Sequence, residues 1–187
     1  MRPNWFIGFP FPGDFLAQLA RPPGARLQHA EDVHLTLSFF GAVSEQAARA
    51  GWERLESLLE ERAEAAHVVS LAEVLPMGSE RSFSALAAHL GEGRGELERC
   101  LGEYRDAVRE AAGLGPERRA PRPHVTLARP PRAATVEQRR SLLEWASGLE
   151  LGGVRARLDR IALYTWFEPR GARKFRIVCE RQLASGE

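Results

Sequence analysis

A chain of 187 residues is long enough to bury one hydrophobic core but short for two independent domains, so we expect a single domain over residues 1–187. Apolar residues make up 44% of it and charged residues 27%, the composition of an ordinary globular protein. The formal net charge of +1 excludes a strongly basic surface over the whole molecule, so binding to a nucleic acid would depend on a local patch.

The cysteines and the start of the chain indicate the compartment. Cys100 and Cys179 lack the spacing of a metal site and fall in a predicted helix and a predicted strand, so we expect buried free thiols, as in a reducing cytosol. Prolines and Asp14 interrupt the apolar N-terminus, and no stretch approaches the roughly eighteen apolar residues of a membrane span. We therefore expect a cytoplasmic protein without a membrane segment.

The first half of the chain predicts the order strand, helix, strand, helix, strand. Proline and glycine residues end the first strand and the short helix, and Ser44 is a good N-cap for the long helix. The predicted elements are strands at 5–9, 33–40 and 67–75, a short helix at 14–20 and a long helix from Ser44 to about residue 66.

The second half repeats this order. The predicted elements are strands at 83–90, 124–128 and 154–164, and helices at 95–112 and at 135–148 with Thr135 as the cap. A final strand at 174–180 completes the chain. This internal repeat, approximately 5–75 and 83–164, predicts a pseudo-twofold arrangement in which the third element of each half faces a common cleft.

One short pattern, His-x-Thr-Leu, occurs in both of these third elements, as HLTLSFFG at 34–41 and HVTLAR at 124–129. Because side chains alternate along a strand, the histidine and threonine of each copy share one face and the apolar residues the other. An imidazole with a pKa of about 6.5 is a base or an acid near neutrality, and a pair supplies one of each without a metal. A single copy is usually accidental, but two copies with matching flanks predict a shared site.

These motifs resemble those of the 2H phosphoesterase superfamily, specifically the bacterial and archaeal RNA 2′,3′-cyclic phosphodiesterases, also called 2′-5′ RNA ligases. The resemblance extends to the aromatic strand WFIGFPFP at 5–12, to SFFG after the first motif and to AR after the second. The opening strand is more aromatic than usual, and Phe40 stands where leucine is commoner. The resemblance implies an α+β, bilobal fold, in which two pseudo-twofold-related lobes of antiparallel sheet and helix flank a central cleft.

The resemblance also implies the roles of the motif residues. His34 would protonate the leaving ribose oxygen and His124 would accept a proton from water, while Thr36 and Thr126 would hold the phosphate oxygens. The symmetry of the two motifs does not by itself assign acid and base. We expect no cofactor and no metal, because no set of residues has the spacing of metal ligands.

Further contacts to the substrate are predicted outside the motifs. Arg129 matches the family's closing arginine and is expected to pair with a substrate phosphate, within an arginine-rich segment at 116–132 that forms either a basic rim or a solvated loop. The aromatic candidates for stacking on a base are Phe39, Phe40, Tyr164 and Trp166; of these we expect contacts from Trp166 and Phe40, although alternation buries at least one of Phe39 and Phe40. The remaining histidines, expected to be structural or surface residues, are His29, His67 and His89.

The expected activity is metal-independent hydrolysis of RNA 2′,3′-cyclic phosphate ends to 2′-phosphate ends by a monomer, with weak reverse 2′-5′ ligation. One alternative is a cyclic phosphodiesterase that acts on small nucleotides such as ADP-ribose cyclic phosphate. The other is a non-catalytic module that binds RNA ends, which would have no need of two proton-transfer groups.

Overall fold

The computed structural model describes residues 3–169 and 171–184, which form nine β-strands in one sheet and three α-helices. The strands are β1 Trp5–Pro10, β2 Arg26–Leu27, β3 His34–Gly41, β4 His67–Pro76, β5 Leu86–Leu90, β6 His124–Arg129, β7 Arg155–Leu158, β8 Arg160–Trp166 and β9 Phe175–Gln182. The helices are α1 Glu45–Arg62, α2 Arg94–Ala111 and α3 Val136–Ser147. No helix of the described residues is long and apolar enough to cross a membrane.

The strand order is symmetric about the centre of the sheet. It runs β7-β4-β5-β6-β3-β1-β8-β9, with β2 pairing with β6. The motif strands β3 and β6 are central neighbours, β1 and β5 flank them, and β8 and β4 come next. The last strand of each half therefore lies in the opposite lobe, since β4 pairs with β5 and β8 with β1, all antiparallel. This symmetry confirms the predicted pseudo-twofold α+β fold.

The two faces of the sheet differ in character, as alternation requires. We call the face that carries His34 and His124 the cleft face and the opposite face the core face. On β3 and β6 the motif residues alternate between partly exposed and fully buried. Leu35 and Val125, both fully buried, lie in the main core together with the apolar residues of α1 and α2. The helices thus cover the core face and leave the cleft face open.

A β-bulge interrupts β3 directly after its motif threonine. Gly8 of β1 pairs with Thr36, but the next residue of β1, Ile7, pairs with Ser38, so Leu37 is an extra residue. The bulge changes the phase of alternation, and Leu37 and Ser38 are consequently both buried.

The same bulge occurs at the equivalent place in β6. Ala87 of β5 pairs with Thr126, and the preceding residue, Leu86, pairs with Ala128, which leaves Leu127 as the extra residue. Leu127 and Ala128 are both buried. The leucine of each His-x-Thr-Leu motif is therefore the bulged residue that shifts the alternation of side chains. As a result, the residue two positions after it lies on the cleft face.

Both predicted caps begin helices as expected. The Ser44 hydroxyl accepts a hydrogen bond from the Ala47 N–H, and Thr135 forms a capping box with Gln138. Helix α1 ends at Arg62 rather than near residue 66, because Ala63 adopts a left-handed conformation with φ of 48° and caps the helix.

Three further predicted elements differ in the structure, the first being the short helix predicted at 14–20, which is a 3₁₀-helix at Asp14–Gln18. The predicted strand at 154–164 is broken at Asp159 into β7 and β8, because β7 pairs with β4 while β8 pairs with β1 and β9. The predicted strand at 83–90 begins only at Leu86, since the preceding residues close a turn in which the Ser82 N–H donates to Ser79.

Candidate active site

The register between the two motif strands sets the arrangement of the site. Leu35 of β3 pairs with Val125 of β6 in antiparallel orientation. Extended by one residue in each direction, this register sets His34 beside Thr126 and Thr36 beside His124 on the cleft face. Each histidine therefore has the threonine of the other motif as its cross-strand neighbour, and the four side chains form one cluster.

Both motif imidazoles are anchored in the same way. His34 Nδ1 lies 2.6 Å from the carbonyl oxygen of Asp32, and His124 Nδ1 lies 2.7 Å from that of Arg122. Because a carbonyl only accepts, each Nδ1 carries a hydrogen, and Nε2 is left for proton transfer. Neither Nε2 has a hydrogen-bond partner among residues 3–169 and 171–184. The anchoring fixes the tautomer and direction of both rings before any substrate binds.

Aromatic side chains surround His34. The Phe6 ring stacks on the imidazole with centroids 4.6 Å apart, and Tyr164 and Phe175 lie 5.5 and 5.6 Å away. This burial lowers the pKa of His34 to about 4; the Asp32 carbonyl opposes the shift, and the charges of His124 and Arg129 add to it. His34 is therefore neutral at neutral pH in the free protein.

Arg129 is the last residue of β6, and its pairing with a substrate phosphate stays a prediction. It follows the bulge in β6 by two residues, and its charge acts on His34. Its guanidinium forms no ion pair with any described residue, and partial burial lowers its pKa. An unpaired guanidinium beside a neutral imidazole is suited to an anionic ligand.

The prediction that Phe40 contacts substrate is wrong. Phe40 is 4% exposed and packs in the core, where a Cβ on Gly51 of α1 would lie 2.8 Å from its ring. The bulge at Leu37 is the physical reason, because it places Phe39 opposite Phe6 and turns Phe40 inward. Phe39 is 52% exposed and is the member of this pair that is available to a ligand.

Trp166 lies at the end of β8, opposite Phe175 of β9, and is partly exposed. Alternation along β8 sets Trp166 on the same face as Tyr164, which stacks on Phe6 at 4.7 Å. Its contact with a substrate stays a prediction.

The sequence did not predict that a group of residues near the start of β9 lies close to the site. The buried Asp32 carboxylate accepts hydrogen bonds from the backbone N–H groups of Lys174, at 2.7 Å, and Phe175, at 2.9 Å. Lys174 Nζ also donates to Gln28. Burial and the charge of Arg129 lower the pKa of Lys174. Lys174 is therefore a second cation near Arg129, brought there by contacts between residues far apart in the chain that no local pattern announces.

A third histidine borders the site. His89 of β5 pairs directly with His124, and the ring centroids are 6.4 Å apart. Burial and the charge of His124 lower the pKa of His89. No threonine accompanies His89 in its strand, so only the strand pairing could have connected it with the motif.

Comparison with known proteins identifies the family of the chain through a relative of similar sequence. No protein-family model matches it. It is 32% identical over 124 residues to an RNA 2′,3′-cyclic phosphodiesterase of Aeropyrum pernix, an alignment that covers 66% of this chain and 68% of the relative.

Two solved structures share the fold over almost the full length. LigT of E. coli, solved in complex with 3′-AMP, superposes with a TM-score of 0.68 at 20% identity, over 97% of this chain and 99% of LigT. TT0787 of Thermus thermophilus superposes with a TM-score of 0.66 at 21% identity, over 98% of this chain and 100% of the other. The chain belongs to the RNA 2′,3′-cyclic phosphodiesterase family of 2H phosphoesterases and is a phosphodiesterase.

Proposed function

We propose that this protein hydrolyses RNA 2′,3′-cyclic phosphate ends to 2′-phosphate ends without a metal ion, using the two motif histidines as acid and base. The observation that supports this most is the pair of identically anchored imidazoles, each with Nδ1 on a backbone carbonyl and Nε2 without a partner in the described chain. The name of the A. pernix relative supports the choice of RNA as substrate.

The reaction divides between the two histidines. His124 Nε2 accepts a proton from water as the water oxygen bonds to phosphorus, and the bond from phosphorus to the ribose 3′ oxygen breaks. His34 Nε2 gives a proton to that departing oxygen, which leaves a 3′-hydroxyl and a 2′-phosphate. The hydroxyls of Thr36 and Thr126 donate to the phosphate oxygens, on which charge accumulates in the transition state.

The acid role of His34 requires help from the substrate. With a pKa of about 4, the imidazole is almost entirely unprotonated at pH 7 in the free protein. A bound cyclic phosphate carries a negative charge and offsets the positive charge of Arg129, and both effects raise the pKa of His34. Proton donation is thereby coupled to substrate binding.

The substrate beyond the phosphate would meet cations and aromatic rings. Arg129 and Lys174 provide positive charge for phosphate groups, and Phe39 and Trp166 provide partly exposed rings on which a terminal base can stack. Substrate binding would thus depend on a local group of cations and rings, which agrees with a net charge of only +1 for the whole chain. We expect the protein to act in the cytoplasm as a monomer.

Ligation through a 2′-5′ linkage uses the same groups. An RNA 5′-hydroxyl takes the place of water, gives its proton to His124 and bonds to phosphorus, while His34 protonates the departing 3′ oxygen. Cleavage of the 2′-5′ linkage is this step run backward, with the acid and base roles exchanged, as microscopic reversibility requires. Water competes with any RNA hydroxyl, so we propose that ligation is a weak side reaction.

A second candidate substrate is a small cyclic nucleotide such as ADP-ribose cyclic phosphate. The structure of LigT in complex with 3′-AMP favours it, because it shows that a protein of this fold binds a mononucleotide. The remaining alternative, a non-catalytic module that binds RNA ends, is set aside because the chain is a phosphodiesterase.

A direct comparison of substrates tests the proposal. A short RNA ending in a 2′,3′-cyclic phosphate and ADP-ribose 1″,2″-cyclic phosphate are offered to the protein in EDTA, and the position of the phosphate in the RNA product is determined. We expect a higher kcat/KM for the RNA and a 2′-phosphate product. A clear preference for the small nucleotide, or a 3′-phosphate product, would contradict the proposal.

A further inference from the structure

A second cluster of reactive side chains lies on the core face, where the helices pack. Glu64, His67 and Cys100 each direct a potential metal-ligand atom to one place, and these three atoms lie within 4.8 Å of one another. Cys100 is 4% exposed, and the side chains of Glu64 and His67 are 18% and 10% exposed. The cluster is therefore part of the folded interior rather than an accident of surface charge.

One distance within the cluster matches that of a coordination sphere, and Cys100 Sγ lies within 4.8 Å of both other atoms. His67 Nε2 lies 3.2 Å from Glu64 Oε1, yet Nε2 is buried and makes no properly directed hydrogen bond with a described residue. Two ligands at the usual distances from a tetrahedral zinc ion lie about 3.3 Å apart. The Glu64 carboxylate faces this buried nitrogen across 3.2 Å, and a cation bound between the two would satisfy both groups.

We propose that Glu64 Oε1, His67 Nε2 and Cys100 Sγ form a binding site for a zinc ion. Thiolate, imidazole and carboxylate are the three ligand types of protein zinc sites, and a buried thiol selects against magnesium and calcium, which prefer oxygen. A surface depression of about 360 Å³ opens beside the three residues and gives an ion access; its wall also carries Glu103, which pairs with Arg62.

The residues around the cluster hold it in place. The Tyr104 hydroxyl donates to Glu64 Oε2 at 2.6 Å, which leaves Oε1 for the ion. The backbone of Ala184 fixes the segment that follows α1, because its N–H donates to the Glu64 carbonyl and its carbonyl accepts from the Ala66 N–H. The Phe9 ring meets the His67 ring edge to face at 6.0 Å. Carboxylate and imidazole therefore have little freedom to lose on binding.

The site would join three elements of the fold. Glu64 follows the end of α1, His67 begins β4, and Cys100 lies in α2. A metal here would fasten both helices to the sheet, on the face opposite the motif histidines, and would not touch the reacting phosphate. Burial raises the pKa of the Cys100 thiol, so zinc binding releases the thiol proton to solvent as the sulfur–zinc bond forms.

Zinc binding to the metal-free protein tests the proposal. Zinc chloride is titrated against a chromophoric chelator in competition with the full chain. We expect about one zinc ion per chain and a zinc-dependent rise in Tm. Cys100→Ser and His67→Gln should each weaken binding at least about 100-fold, and Tyr104→Phe about 10- to 100-fold. Circular dichroism confirms that each variant is folded.

Two matched controls distinguish this cluster from others. Cys179→Ser removes the other cysteine, which is half-buried in β9, and the double variant His34→Ala, His124→Ala removes the motif imidazoles. Both should bind zinc as the wild type does. Undiminished affinity in Cys100→Ser and His67→Gln, or loss of binding in the motif double variant, would assign the zinc elsewhere and overturn the proposal.

The absorption spectrum of cobalt(II) bound to the wild type is a second measurement. It does not require any variant to fold. Cobalt(II) bound in the zinc site should give thiolate-to-metal absorption in the near ultraviolet and the intense visible bands of tetrahedral coordination. A wild-type protein that binds neither zinc nor cobalt, or a cobalt complex without the thiolate band, would refute the site. Phosphodiesterase activity in EDTA is expected to persist in either case, so this outcome is separate from the proposed function.

Discussion

Leu35 pairs with Val125 at the centre of the sheet, and this contact relates the two halves of the molecule. The fully buried side chains of this pair point into the core, so the residues on either side of each are forced onto the cleft face. His34 and His124 are thereby set on one surface by two strands that lie about ninety residues apart in the sequence. The acid and base of the proposed reaction owe their proximity to an apolar contact behind them.

The role of His34 as acid can be tested by changing the leaving group. We expect His34→Ala to lower hydrolysis of the RNA cyclic phosphate by roughly 10²–10⁴-fold. In a substrate with sulfur in place of the 3′ bridging oxygen, the leaving group is a thiolate, which needs a proton less than an alkoxide does. This substrate should therefore restore much of the rate of His34→Ala. Single-turnover rates on the two substrates measure this.

His124→Ala is the matched control for that experiment. Its defect lies in activation of water, so sulfur substitution should leave it unrepaired. If His124→Ala were rescued and His34→Ala were not, the acid and base assignments would have to be exchanged.

Stability should depend on pH through His34. Burial lowers its pKa from 6.5 to about 4, so between these values the unfolded chain takes up a proton that the folded chain does not. Stability is therefore lost as pH falls through this window, by roughly 2–3 kcal/mol at pH 4.5 from this residue. Urea unfolding at pH 7 and pH 4.5 should show a smaller difference for His34→Gln than for the wild type; equal differences would exclude the lowered pKa.

Gly8 should tolerate no side chain. A Cβ there would lie 2.5 Å from the Leu35 carbonyl oxygen, in the strand pairing that supports Thr36. We expect Gly8→Ala to destabilise the protein by about 1–3 kcal/mol in urea unfolding and to reduce activity. Gly102→Ala in α2 is the control, because nothing lies near its Cβ position and alanine favours a helix by about 1 kcal/mol. An unchanged midpoint for Gly8→Ala would show that the strands can separate without cost.

Arg129→Gln should weaken capture of the substrate phosphate. A hydrogen bond to a charged group contributes about 1.5–3 kcal/mol, so kcat/KM on the RNA substrate should fall about 10- to 100-fold. Arg132→Gln, in the exposed loop after β6, removes the same charge outside the cleft face and should have a much smaller effect. Equal losses in both variants would mean that the arginine-rich segment acts as a diffuse basic rim.

The sequence predicted what depends on local chemistry. Ser44 and Thr135 were predictable caps, since a cap needs only its own hydroxyl and the next turn of helix. The alternation that sets His34 and Thr36 on one face was equally local. The repeat of elements then predicted the pseudo-twofold arrangement, because equivalent halves of a chain tend to form equivalent halves of a fold.

The features that the sequence did not predict depend on contacts between residues that are far apart in the chain. The bulge at Leu37 is defined by pairing with β1, and without it alternation assigns Phe40 and Phe39 to the wrong faces. The break at Asp159 similarly reflects the choice of different partner strands on its two sides. Lys174 reaches the site because its backbone meets Asp32, 142 residues earlier in the chain.

The most direct measurement is hydrolysis of a short RNA with a 2′,3′-cyclic phosphate end, in EDTA, by the wild type, His34→Ala and His124→Ala. We predict that the wild type converts the RNA to its 2′-phosphate and that each variant is slower by roughly 10²–10⁴-fold. Hydrolysis near the wild-type rate by either motif variant would contradict the two-histidine mechanism.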